Sequence, residues 1–130
     1  MVIIAIILLA TPGKGQNLLD CRFIQASVES LQFKNRFYIC NDNSKKIYII
    51  DTTKSFDSCN NDQVCNSEIF YGYNFESIEK KQIVEIYRVD KRKNMITIYF
   101  HRPLTGASLI LKLKSKKNKI RIVGFEMGAF

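Results

Sequence analysis

The chain has no tryptophan, two prolines and one histidine among its 130 residues. A single histidine excludes a multi-histidine zinc site. It also leaves one side chain that titrates near neutrality. No C-x-x-C pair and no G-x-S-x-G segment is present, so redox and nucleophile-elbow chemistry have no carrier. No apolar run reaches the roughly 20 residues that a membrane-spanning helix needs. Nothing in the residues asks for a cofactor or a metal. Apolar residues make up 46% of the chain, which separates it from disordered sequences. The length suits one domain.

What is present begins with a leader. Val2 to Ala10 is an unbroken apolar run, followed by Thr11, Pro12, Gly13, Lys14 and Gly15. An apolar stretch of this length, then helix breakers and small residues, reads as a signal peptide over residues 1–15. No Lys or Arg precedes the run, so a buried N-terminal strand is the competing reading. The signal-peptide reading sends the chain to a secreted or periplasmic location, with residues 16–130 as one disulfide-containing α+β domain.

Four cysteines, Cys21, Cys40, Cys59 and Cys65, all lie beyond the leader. An even count in a short exported domain implies two bridges and allows three pairings. The spacing favours a small closed loop, Cys59–Cys65, with Cys21–Cys40 as the second bridge. Cys40–Cys59 is the alternative if those residues end neighbouring strands.

Gln16 to Gln32 carries helical periodicity, with Asn17 or Asp20 to cap it. Arg36–Cys40 and Lys46–Thr53 are rich in β-formers and flank a turn cluster, Asn41 to Ser44, as a hairpin would. Ile69–Phe75 concentrates aromatics, as a satellite core under the disulfide loop or as an exposed patch. Ser77–Lys81 is a polar connector. Gln82–Asp90, Met95–His101, Ala107–Lys114 and Lys119–Met127 alternate as strands, joined by short polar connections that give an antiparallel meander. The expected fold is α+β: one N-terminal helix packed on an antiparallel sheet of five to seven strands, ending in that four-stranded meander. Gly124 marks a bulge where the alternation changes phase. The apolar end, through Phe130, is expected to be tied into the core.

Charge is uneven. Residues 16–79 hold six Lys and Arg against nine Asp and Glu, a net of −3; residues 80–130 hold thirteen against three, a net of +10. Alternation sends Leu109, Leu111, Leu113, Ile120 and Ile122 inward. It sends Tyr99, His101, Lys112, Lys114, Lys119 and Arg121 outward onto one basic face. With Ser115–Asn118 as the loop, Lys114 faces Lys119 and Lys112 faces Arg121. Such like-charge pairs are either well solvated or hold an anion. The favoured function is a non-catalytic exported interaction domain that presents this face to an acidic protein or other polyanion. Nucleic acid is disfavoured, since exported proteins other than nucleases seldom meet it.

Two alternatives stand beside it. A small nuclease-like hydrolase would use His101 as its acid–base group, Glu85 as carboxylate and Arg88 to hold phosphate. Pairing across Lys91–Asn94 opposes it, because it sets Glu85 opposite Phe100 and away from His101. An inhibitor of a secreted enzyme would insert the Cys59–Cys65 loop. Asp51, after a strand, reads as a turn-forming carboxylate.

Overall fold

Asp20 opens the first helix. Its Oδ1 accepts the Arg22 backbone N–H at 2.9 Å, and its Oδ2 accepts Arg22 Nε–H at 2.9 Å. The structure, a computed structural model, describes residues 18–40, 46–57, 59–73 and 82–129. The expected leader, Asn17, the 41–44 turn, the 77–81 connector and Phe130 lie outside the described residues.

The single long helix is replaced by two short ones, α1 (Arg22–Glu29) and α2 (Leu31–Arg36). Ser30 makes the break. Its backbone is extended, and its Oγ accepts the Phe33 N–H as the N-cap of α2. A serine that satisfies a free helix donor gains about 1 kcal/mol as a cap, more than it gains inside a helix. The new direction buries Phe33, whose ring meets Phe37 at 4.8 Å and Phe100 at 5.1 Å.

The hairpin expected from Arg36–Cys40 does not form. These residues end α2 and turn, with Tyr38 and Cys40 in the left-handed region. Burial of Phe37 and Ile39 in the core outweighs their β-propensity.

Seven strands form one sheet: β1 (Lys46–Asp51), β2 (Asp62–Val64), β3 (Ser67–Gly72), β4 (Ile83–Arg92), β5 (Met95–His101), β6 (Ala107–Lys116) and β7 (Lys119–Ala129). Their order is β2-β3-β1-β4-β5-β6-β7. The meander β4 to β7 is antiparallel as expected. The rest is not wholly so, because β1 pairs parallel to both β3 and β4. A parallel neighbour needs a long crossover. The 52–66 segment that joins β1 to β3 supplies one and carries two of the cysteines. The sheet curls into a half-barrel.

One face of the sheet is covered by the helices, α1 against β7 and α2 against β6. Ile96, Ile98, Phe100, Leu109, Leu111 and Leu113 point into that core and are fully buried. Each such side chain contributes about 1.5–3 kcal/mol by leaving water. Chain closure comes from the bridges Cys21–Cys59 and Cys40–Cys65. Neither Cys59–Cys65 nor Cys21–Cys40 forms, nor does Cys40–Cys59. Leu19 explains the first bridge: it runs beside Phe56 as a short parallel rung, donating to Ser55 O at 2.8 Å and accepting from Asp57 N at 3.1 Å. That rung carries Cys21 to Cys59.

The last strand corrects one further expectation. β7 is tied to β6 by its ladder through Ala129, and Ile120 and Ile122 pack against the core, but towards its end Phe125 and Met127 remain about half exposed.

Candidate functional site

Two of the three hairpins of the meander turn on the same dipeptide. Arg92 pairs with Met95 around Lys93–Asn94, and Lys116 pairs with Lys119 around Lys117–Asn118. The loops are therefore two residues long, not four, and the ladders run further than the alternation alone indicates. In β6–β7 the pairing slips by two. Lys114 lies opposite Arg121 rather than Lys119, and with one further residue taken up by the bulge Lys112 lies opposite Gly124 rather than Arg121. An even slip changes partners and keeps faces. Tyr99, His101, Lys112, Lys114, Lys119 and Arg121 thus share the face away from the helices, as their alternation requires. The bulge expected at Gly124 is present, where the register shifts between Lys112 and Leu113.

In β4–β5 a second irregularity intervenes. The turn moves the ladder by two, and a bulge between Ile86 and Arg88 takes one back. The net slip is odd, so the face changes. Glu85 lies opposite His101, not Phe100, and its Oε2 is 3.7 Å from His101 Nε2. The edge of Tyr87 meets the His101 ring at 5.4 Å between centroids. Both side chains of the pair remain partly open to solvent.

The same outer face carries a groove of about 350 Å³ between β4, β5 and β6, lined by Arg88, Asp90, Arg92, Met95, Thr97, Tyr99 and Lys112. Arg88 lies over the Tyr99 ring at 4.9 Å from its centroid. Asp90 holds both: it accepts Arg88 Nε–H at 3.2 Å and the Tyr99 hydroxyl at 3.1 Å. Burial, then that hydrogen bond and the Asp90 charge, keep the Tyr99 hydroxyl above the ordinary tyrosine range. Lys112 lies across from Thr97, with its stem over Gly124, where a Cβ would meet Lys112 Cδ at 3.4 Å. A smaller depression of about 210 Å³ adjoins it, lined by Lys114, Lys116, Arg121 and Val123.

The six expected residues are therefore divided. Tyr99 and Lys112 line the main groove, and Lys114 and Arg121 the adjoining one. Lys119 sits by the hairpin tip, and His101 stands apart beside Glu85. Arg92, Asp90 and Lys116 belong to the site and were not singled out by sequence. Arg92 and Lys116 fall in the four-residue connections that alternation alone indicates, and the ladders take both into strands. The repeated Lys-Asn at both hairpin tips was the signal that places them in strands.

Elsewhere, a pocket of about 310 Å³ lies beside α1, lined in part by Ile24, Ile49, Asp51, Phe56 and Tyr71. Asp51 is buried there and accepts from Thr53 N, Thr53 Oγ1, Ser55 N and Phe56 N at 2.5–3.1 Å. Its carboxylate organises the turn after β1, the role its position in sequence indicates. The aromatic stretch splits by strand alternation: Ile69 is buried in the core, while Phe70 stacks on Tyr48 at 5.0 Å on the outer face. Asn74 and Phe75 lie outside the described residues. Asn60–Val64 is not a loop closed by its own bridge, and Asp62–Val64 pairs with β3 as a sheet strand.

Among the described residues no cluster of three or more His, Cys, Asp or Glu is placed to hold a metal ion. No helix among them is long and apolar enough to cross a membrane. No protein-family model matches the chain. No curated protein and no solved structure matches it either.

Proposed function

We propose that the chain is an exported, non-catalytic interaction domain that holds an acidic protein or other polyanion against its outer sheet face. The observation that carries this reading is the groove in which Arg88, Arg92 and Lys112 converge beside the Tyr99 ring. Three cations within one concavity concentrate positive potential better than the same charges spread on a flat sheet. An aromatic floor adds contact area that does not depend on the sign of the partner's neighbouring groups. Two disulfides fit an oxidising compartment.

The test uses polyglutamate and heparin as probes. Arg92→Ala with Lys112→Ala is expected to lower the salt concentration that elutes the protein from either matrix. Affinity for both is expected to fall steeply as ionic strength rises. Retention that ignores salt and survives the double substitution overturns the reading.

A second reading has one observation in its favour, the approach of Glu85 to His101. A carboxylate beside an imidazole can hold it to take the proton of the hydroxyl that attacks a phosphodiester and to return that proton to the leaving oxygen. Against it, Arg88 is turned away to Asp90 and Tyr99. Cleavage of RNA that disappears in His101→Ala would establish the hydrolase; absence of His-dependent cleavage leaves the interaction domain.

A further inference from the structure

We propose that two copies of the chain join antiparallel through β7, about a two-fold axis between Val123 and Gly124, into one continuous sheet. β7 is the last strand in the sheet order, and no strand lies on its far side among the described residues. A strand of this length with a free edge is a template for another strand. A two-fold arrangement is the commonest closed solution.

The side chains of β7 are self-complementary in one register. Arg121 lies opposite Lys114, and Glu126 opposite Ile110, so both stand on the outer face. The bulge before Gly124 brings them into phase. Ile122, Phe125 and Met127 lie opposite Leu113, Leu111 and Leu109 on the inner face. Phe125 is 50% exposed and Met127 49% exposed, although they continue the core surface. Antiparallel pairing centred between Val123 and Gly124 sets Arg121 against the partner's Glu126, Ile122 against the partner's Phe125, and Ile120 against the partner's Met127. Every rung is matched in face and none sets like charges together.

Neighbouring registers are poorer. A shift by two residues in one direction leaves Met127 and Ala129 beyond the ladder. The opposite shift sets Glu126 against Val123 and Arg121 against Gly128, and leaves Arg121 without an anion. Within one chain, Lys114 and Arg121 stand directly across from each other, as do Lys116 and Lys119, an arrangement that destabilises a hairpin. The partner's Glu126 supplies the negative charge that this corner lacks.

The test is a charge swap followed by sedimentation of the oxidised chain. The unsubstituted chain is expected to be a dimer at tens of micromolar. Arg121→Glu alone and Glu126→Arg alone each set like charges together at both symmetric rungs, and each is expected to weaken dimerisation by about ten-fold or more. The double variant, Arg121→Glu with Glu126→Arg, is expected to restore it. Circular dichroism of each variant checks that the fold is retained, since both positions are exposed. A monomer at every concentration overturns the proposal. So does a dimer indifferent to the single reversals, or one that the swap does not rescue.

Discussion

The guanidinium of Arg88 lies over the ring of Tyr99, and Asp90 is the residue that keeps it there. Asp90 therefore has two opposing effects on an anionic partner. It fixes the platform, and it cancels part of the charge that would attract the partner. The pair is exposed, so screening keeps the structural contribution small. Asp90→Asn retains hydrogen-bonding capacity and removes the negative charge. It is expected to tighten polyglutamate binding by about two- to five-fold at low salt. It is also expected to lower the Tyr99 titration toward the ordinary tyrosine value, read as the ultraviolet tyrosinate band against a Tyr99→Phe control. Weaker binding in Asp90→Asn would mean that orientation of Arg88 outweighs its charge.

The disulfide pairing is directly measurable. Trypsin leaves Cys59 and Cys65 on one peptide, because no Lys or Arg separates them. Cleavage before Asp62 divides them. Digestion of the unreduced chain with trypsin and an Asp-specific protease is expected to join Cys59 to the Cys21 peptide and Cys65 to the Cys40 peptide. Replacing either pair by alanine is expected to cost about 2–5 kcal/mol, read from urea denaturation. The Cys59 peptide joined instead to the peptide that begins at Asp62 and carries Cys65 would refute the pairing.

The contrast between what alternation revealed and what it hid has a physical basis. Leu109, Leu111 and Leu113 announce a buried face because a strand has a period of two and one side must leave water. That information survives an even slip, which is why the basic face was legible while its cross-strand partners were not. It does not survive an odd slip, and the Tyr87 bulge produces one. Nothing in Ile86-Tyr87-Arg88 differs in composition from an ordinary strand, so Glu85 and His101 could not be brought together from sequence. The break at Ser30 is different in kind. Serine is tolerated within a helix and preferred at its cap, and only the burial of Phe33 decides between the two. The parallel pairing of β1 rests on contacts distant in sequence, which periodicity does not report.

Tyr71 gives the protein an alkaline weakness. Burial, then the Asp62 and Glu29 carboxylates, push its hydroxyl well above the usual tyrosine range. The folded state thus holds the proton more tightly than the unfolded chain. That advantage is fully present below about pH 10, where the unfolded tyrosine keeps its proton, and is lost as pH rises beyond it. The hydroxyl is buried and has no hydrogen-bond partner among the described residues. Leaving such a group unpaired costs about 1–3 kcal/mol. Tyr71→Phe is therefore expected to be neutral or stabilising at pH 7 and to raise the pH of alkaline unfolding. A clear loss of stability at pH 7 would show that the hydroxyl is bonded after all.

Lys117 and Asn118 are both in the left-handed region, with φ of 51° and 64°. A two-residue type I′ hairpin turn has positive φ at both positions, and Asn-Gly is the pair that adopts it most readily. Asparagine tolerates the region, but lysine is penalised there by about 1–2 kcal/mol through the clash of its Cβ with the backbone. Lys117→Asn with Asn118→Gly is expected to stabilise the chain by about 1 kcal/mol, seen as a rise in Tm of about 4 °C. Lys116→Gly supplies the contrast. Lys116 pairs with Lys119 inside the ladder, so glycine there is expected to lower Tm. Were the connection a four-residue loop from Ser115 to Asn118, Lys116→Gly would be harmless and the Asn-Gly pair would bring no gain. The two Tm values together therefore decide the register on which the Lys114–Arg121 pairing depends.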